Sequence, residues 1–532
     1  MFLILKHCLG LDHRWHIISL AMQNLSKSKL LSYKQCPRRL WLEVHRAELK
    51  ADSESAQADY DIGNQVGVVA QRMYDPDGQG MTLDAQTDGY SQALQWSLEL
   101  IKTKQPLFEA AFTANGALSF ADVMLPVERE GQLGWRMVEV KSTSGVKDYH
   151  RDDVAIQAWV ARSAGVPLTA IALAHIDSTF VYPGDGNYQG LLKECDLTKE
   201  TFGRFPEIKA LIAEAQRVVG MAEAPAVTTG SRCTSPFECG FINYCQSFEE
   251  QAVFPVQWLP AIRSKELKEL ITSNPALDMR DVPDELLTEE QLLVKTHTIA
   301  GEIYFNARNA AKAFKSYPFP AYFLDFETVM FAVPIWKGTR PYQQIPFQFS
   351  LHVMDESGNL QEDAFLDLTG NDPSRPFAET LVKVCDKAGP IFVYNAGFEG
   401  TRISELANLF PDLASDLLAI KRRLVDLHPI TKANYYNPRQ HGSWSIKAVL
   451  PAIAPDLSYE ALEGVQHGGH AVNAYLKAIQ PGTTTEEKSL IERQLLAYCR
   501  MDTYAMVRLW QFLLGKPGIA TSRDCSTQTL VR

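Results

Sequence analysis

The 532-residue chain contains no run of about 18 uncharged apolar residues, and so nothing that reads as a membrane span. Internal repeats and low-complexity tracts are also missing, and the composition excludes a disordered, collagen-like or coiled-coil chain. Basic residues are not in excess: 52 Lys and Arg face 63 Asp and Glu, for a net charge of −11. That balance argues against a protein that coats nucleic acid nonspecifically. It leaves room for a nuclease, whose catalytic carboxylates add negative charge and whose basic groove is local. Cysteine is sparse and odd in number, nine in all, which does not suggest a disulfide framework. The first 21 residues, MFLILKHCLGLDHRWHIISLA, begin apolar but are broken by Lys6, His7, Asp12, His13 and Arg14. They lack the unbroken core of a secretory signal and read as an over-extended start before Met22. The expected location is the cytoplasm.

What is present is enough chain for two or three domains, 46% hydrophobic and 22% charged. Alternating helix and strand patterns predict an α/β fold. Residues 22–250 form a first α/β pattern that closes on a cysteine-rich stretch, and 251–319 read as a charged helical connector. A second α/β pattern covers 320–515, and 516–532 read as a polar, disordered tail.

The segment AYFLDFET reads as a buried strand, on which Asp325 and Glu327 project to one face because side chains alternate. Paired carboxylates on one face suit divalent metal ions. PIFVYNAGFEG follows as strand, turn and helix and delivers Glu399. An amphipathic helix near the end places Tyr498 and Asp502 four residues apart, on one face. In this order the three segments resemble the motifs of DnaQ-like 3′–5′ exonucleases of the ribonuclease H-like fold. The matches are Asp325 with Glu327, then Asn395, Phe398 and Glu399, then Tyr498 with Asp502. Glu399 stands where that family has Asp, and Asp426 is a second candidate for this acidic role. The resemblance implies two Mg²⁺ or Mn²⁺ ions held by Asp325, Glu327, Glu399 and Asp502, with Tyr498 orienting the attacking water. Lys447 is a candidate phosphate contact. The basic run Lys421, Arg422 and Arg423 fits either a nucleic-acid groove or a solvated helix face.

In the first pattern, WRMVEVKST is a strand with Val138 and Val140 on one face and Glu139 and Lys141 on the other. NGALSFADVMLP supplies Asp122 on another strand, and Gln157 follows in a helix. Cys36 lies far upstream, and Cys233, Cys239 and Cys245 lie downstream with five residues in each gap. Together these resemble RecB-like PD-(D/E)XK nucleases with a restriction-endonuclease-like fold and a four-cysteine iron–sulfur cluster. The resemblance implies metal ligation by Asp122 and Glu139 and catalytic roles for Lys141 and Gln157. It also implies a [4Fe–4S] cluster on Cys36, Cys233, Cys239 and Cys245, with Zn²⁺ the alternative. The chain departs from that group at Gly67, where a His is usual after Gly63, and at Ala161, where a Tyr is usual after Gln157. Glu109 is either an additional carboxylate or a surface acid.

The pairing of the two modules resembles an uncharacterised bacterial family, the domain-of-unknown-function 2779 type. The expected activity is metal-dependent phosphodiester hydrolysis of DNA or RNA, most simply by a 3′–5′ exonuclease in DNA repair or foreign-DNA processing. The alternatives are a nucleic-acid-binding adaptor with degenerate nuclease folds and an iron–sulfur redox sensor.

Overall fold

The computed structural model describes residues 24–51, 54–129 and 132–516. The expected start at 1–21 and the expected tail beyond Lys516 lie outside the described residues, as do Cys8 and Cys525. The protein is a mixed α/β structure. Its chain divides into two compact units, one from residues up to 52, 67–175 and 192–245, the other from 53–66, 176–191 and 246 onward. Among the described residues, no helix is long and apolar enough to cross a membrane.

The first unit opens with β1 (Leu25–Ser26), α1 (Lys27–Gln35) and α2 (Pro37–His45). Its sheet adds β2 (Met81–Thr82), β3 (Leu107–Ala114), β4 (Ala117–Arg129) and β5 (Gln132–Lys141). After α3 (Asp148–Ser163) come β6 (Leu168–Ile176), β7 (Leu192–Asp196), α4 (Phe205–Val219) and the short α5 (Ile242–Gln246). The strand order is β2-β3-β4-β5-β6-β7, with β1 paired on β4. β4 and β5 are antiparallel, and β5 and β6 are parallel. The alternation along β5 sets the layers. Trp135 and Met137 pack with Val154, Ile156 and Trp159 of α3, while Val138 joins Phe108, Val123 and Ala172 on the other face. Glu139 and Lys141 therefore fall on the α3 side. Full burial of each large apolar side chain contributes roughly 1.5–3 kcal/mol, which is what holds α3 over the sheet.

The second unit has a five-stranded mixed sheet. Its strands are β9 (Ala321–Val329), β10 (Ile345–Met354), β11 (Leu360–Leu366), β12 (Ile391–Val393) and β13 (Leu424–Asp426). The order is β11-β10-β9-β12-β13. β9 is antiparallel to β10 and parallel to β12, so the acid-bearing strand lies in the middle of the sheet. A separate antiparallel pair joins β8 (Tyr304–Phe305) to β14 (Tyr435–Tyr436). Three helices carry site residues: α6 (Ala396–Leu409), α7 (Ile446–Ile453) and the long α8 (Thr485–Leu513). α8 starts at a capping box in which Thr484 accepts from the Glu487 amide and Glu487 accepts from the Thr484 amide. Its apolar side, including Met506, Leu509 and Trp510, packs with Phe323 of β9 and Phe392 of β12.

The 251–319 stretch is helical only in part. Val256, Leu259, Met279, Val294 and Phe314 share one core with Phe323 and Trp510, because each apolar helical face finds a partner there.

Candidate metal centre

β9 aims Asp325 and Glu327 to the same side, and α8 brings Asp502 against them. One ligand atom from each of these three residues lies within 4.8 Å of the other two. Among the described residues no other group of three or more His, Cys, Asp or Glu meets that spacing. Like charges this close, largely withdrawn from water, disfavour ionisation. Burial, then Asp502, Glu327 and Glu399, push Asp325 well above the usual carboxylate range. Burial and then Asp502 push Glu327 up to about 8. Burial likewise raises Asp502 to about 6, opposed by hydrogen bonding from Tyr459 and by Lys447. Among the described residues, none of the three carboxylates has an ion-pair partner within 4.0 Å.

Glu399 projects from the first turn of α6 and is buried. Its Oε2 has no hydrogen-bond partner, and burial, with Asp426 adding to it, pushes its pKa up to about 8. Asp426 has a different job from the metal-ligand role considered for it. Its carboxylate accepts from the backbone amides of Asn395 (3.1 Å), Ala396 (3.0 Å) and His428 (2.9 Å). Asn395 has a left-handed φ of 98°, and this brace holds the turn that launches α6 and so positions Glu399.

Two further side chains organise Asp502. The Tyr459 hydroxyl donates to Asp502 Oδ1 at 2.6 Å. Lys447 donates to Tyr498 Oη at 3.1 Å and lies 4.9 Å from the ring centroids of both Tyr459 and Tyr498. Tyr459 was not foreseen: it sits in a short 3-10 turn 43 residues from Asp502, with no local pattern to mark it. Of the basic run, Lys421 donates to Ser404, and Arg423 donates to the Gly389 and Cys385 carbonyls, so both serve the fold locally.

In the first unit, Asp122, Glu139, Lys141 and Gln157 also converge. Val123 pairs with Val138, which puts Asp122 and Glu139 at the next position of the hairpin, and Asp122 accepts from the Val140 amide at 2.7 Å. Gln157 donates to Glu139 at 2.7 Å, and Lys141 reaches Glu139 at 2.6 Å. Two unforeseen members complete the group: Asp153, one turn before Gln157 on α3, and Lys27, the first residue of α1. Burial opposes charge on Lys27, but Asp153 and Glu139 outweigh it and hold the ammonium above its ordinary pKa. Burial and then Glu139 raise Asp122. Glu109 is part of this environment, since burial, then Glu139, raise it as well.

Cys36, Cys233, Cys239 and Cys245 line one small cavity, together with Arg38, Arg39, Leu42 and Phe241. Cys36 ends α1 and starts α2, Cys233 ends a 3-10 turn, and Cys245 lies in α5. None is in a disulfide. Burial raises the thiol pKa of Cys239 and of Cys245; Cys233 and Cys36 add to both, and Cys239 adds to Cys245. The four fall outside the 4.8 Å spacing, wider than the roughly 3.8 Å between sulfurs that a tetrahedron of Zn–S bonds requires.

Comparison with curated proteins finds no match. A protein-family model, described as a domain of unknown function (DUF2779), matches residues 322–445. That span contains Asp325, Glu327, Glu399 and Asp426 and ends before Lys447, Tyr459, Tyr498 and Asp502. The chain is thus similar to that family over residues 322–445.

Proposed function

We propose that the second unit is a divalent-metal-dependent nuclease that hydrolyses phosphodiester bonds at the 3′ ends of DNA or RNA. The observation that carries this reading is the convergence of Asp325, Glu327 and Asp502, with Glu399 beside them. Oxygen donors of this kind suit hard cations such as Mg²⁺ and Mn²⁺. The unengaged Oε2 of buried Glu399 and the lack of a neutralising cation within 4.0 Å both fit such an ion. A central acid-bearing strand with further acids arriving on helices agrees with the ribonuclease H-like fold that the motifs imply.

When bound, paired divalent ions activate a water and stabilise the leaving oxygen of a phosphodiester. The chain's own groups do the rest. Tyr459 donates to Oδ1 of Asp502 and so fixes the orientation of that carboxylate. Tyr498 accepts from Lys447 and hydrogen-bonds with Asp502, which holds its hydroxyl beside the acids, where it would help orient the attacking water. Lys447 adds a positive charge beside the site for an incoming phosphate. The first unit, with a PD-(D/E)XK-like arrangement, supplies a nucleic-acid grip. Its four cysteines suit a [4Fe–4S] cluster that ties Cys36 to the far end of the unit.

End-labelled single-stranded DNA and RNA, incubated with the chain and Mg²⁺ or Mn²⁺, test this on a sequencing gel. A ladder shortening from the 3′ end, abolished by chelator, is the expected result. No cutting by folded protein with either ion would leave the nucleic-acid-binding adaptor in its place.

The raised carboxyls also set a pH dependence. Glu327 and Glu399 titrate near 8 in the folded chain, above their unfolded values near 4.5. The metal-free folded state therefore holds protons that the unfolded chain has released. The stability these groups contribute is complete below about pH 4.5 and is lost as pH rises through about 8. The metal-free melting temperature should fall between pH 6 and 9, and Glu327→Gln should shrink that fall. Mn²⁺ binding should tighten over the same range, because it displaces those protons. An affinity independent of pH would contradict the assignment.

A further inference from the structure

We propose that the acidic centre of the first unit is closed by an internal cation: the Lys27 ammonium stands where a divalent ion would sit. That centre then holds no metal while Lys27 is in place. The inference is independent of the reading of the second unit and departs from the metal site that the PD-(D/E)XK resemblance implies.

The geometry is a closed network. Lys27 Nζ lies 2.9 Å from Glu139 Oε1 and 3.4 Å from Asp153 Oδ1. Lys141 Nζ lies 2.6 Å from Glu139 Oε1 and 2.5 Å from Asp153 Oδ2. Gln157 Nε2 takes the remaining demand, 2.7 Å from Glu139 Oε2 and 3.1 Å from Asp153 Oδ1. Every carboxylate oxygen of Glu139 and Asp153 thus already has a donor from the chain, and the two ammoniums of Lys27 and Lys141 are both engaged by this pair, with Asp122 and Glu109 close by. A divalent ion needs those same oxygens as ligands, and it must also approach a site already occupied by positive charge. The second unit offers the contrast, since its three acids converge without a paired cation.

Lys27 is placed there by structure on both sides. Leu25 and Ser26 pair with Ala117 and Leu118 of β4, and Ser26 caps α1 by accepting from the Lys29 amide. The Lys27 side chain remains 26% exposed, so its substitution need not open the core.

The test uses the full chain carrying Asp325→Ala and Asp502→Ala, so that Mn²⁺ binding reports the first unit. Free Mn²⁺ is read by electron paramagnetic resonance. With Lys27 present, the proposal expects no site that Glu139→Gln removes. Adding Lys27→Met should create one Mn²⁺ site per chain, at least about tenfold tighter than background, and Glu139→Gln should abolish it. A Glu139-dependent Mn²⁺ site in the chain that retains Lys27 would overturn the proposal, and this arm does not depend on the Lys27 variant folding. Absence of Mn²⁺ from a folded Lys27→Met chain, as judged by circular dichroism, would also overturn it, because Lys27 would then have no metal site to fill.

Discussion

Asp502→Ala should abolish metal-dependent cutting while leaving the second unit folded. Asp502 is one of three residues whose ligand atoms converge within 4.8 Å. Losing one ligand removes several kcal/mol of transition-state stabilisation, on the order of a 10³-fold fall in rate or more. The same change removes a like charge from a crowded, buried group and leaves the Tyr459 hydroxyl without its acceptor. These two effects oppose each other, so the metal-free melting temperature should change little. What should vanish is the rise in melting temperature on adding Mn²⁺, since ligand stabilisation requires a site. A folded Asp502→Ala chain that cuts at the wild-type rate would end the assignment of this residue.

The second large effect concerns the cysteine cavity. Cys239→Ala should strip iron from the purified protein and lower the melting of the first unit by about 10 °C, the shift expected for a few kcal/mol in a domain of this size. Cys36 lies at the junction of α1 and α2, whereas the other three cysteines come from the chain end of the unit. An inorganic centre shared by the four would therefore close a loop of nearly the whole unit. Its positive charge would also offset the burial that raises the thiol pKa of Cys239 and of Cys245 and resists formation of the thiolates that bind metal. Iron content by absorbance and by metal analysis of anaerobically prepared protein checks the first part, and calorimetry the second. Retained iron with unchanged melting would remove the staple. A wild-type protein with zinc and no iron would replace the cluster by the alternative metal.

How much of this could be seen in the chain depends on distance along it. The strand alternation that pairs Asp325 with Glu327 and the helical spacing that pairs Tyr498 with Asp502 are local, so both pairs are visible in the sequence and meet in the structure. Asp153 follows the same logic, one helical turn from Gln157, but no motif marks it in the sequence. Lys27 and Tyr459 were not available at all. Each reaches its partner across 112 and 43 residues respectively, through pairing of β1 on β4 and through a 3-10 turn. Asp426 shows the converse. Its charge is visible in the sequence, but its commitment to three backbone amides is not, and those bonds make it a brace for the turn before α6. The 251–319 stretch was seen as helical from its period, but its partners in the core of the second unit could not be read from that pattern.

The most direct test of the central claim is anomalous diffraction from crystals of the full chain soaked in Mn²⁺. The account predicts a peak bounded by Asp325, Glu327 and Asp502, absent from Asp325→Ala crystals. It predicts no peak between Glu139 and Asp153 while Lys27 is present. Mn²⁺ seated at Glu139, with nothing at Asp325, would contradict it.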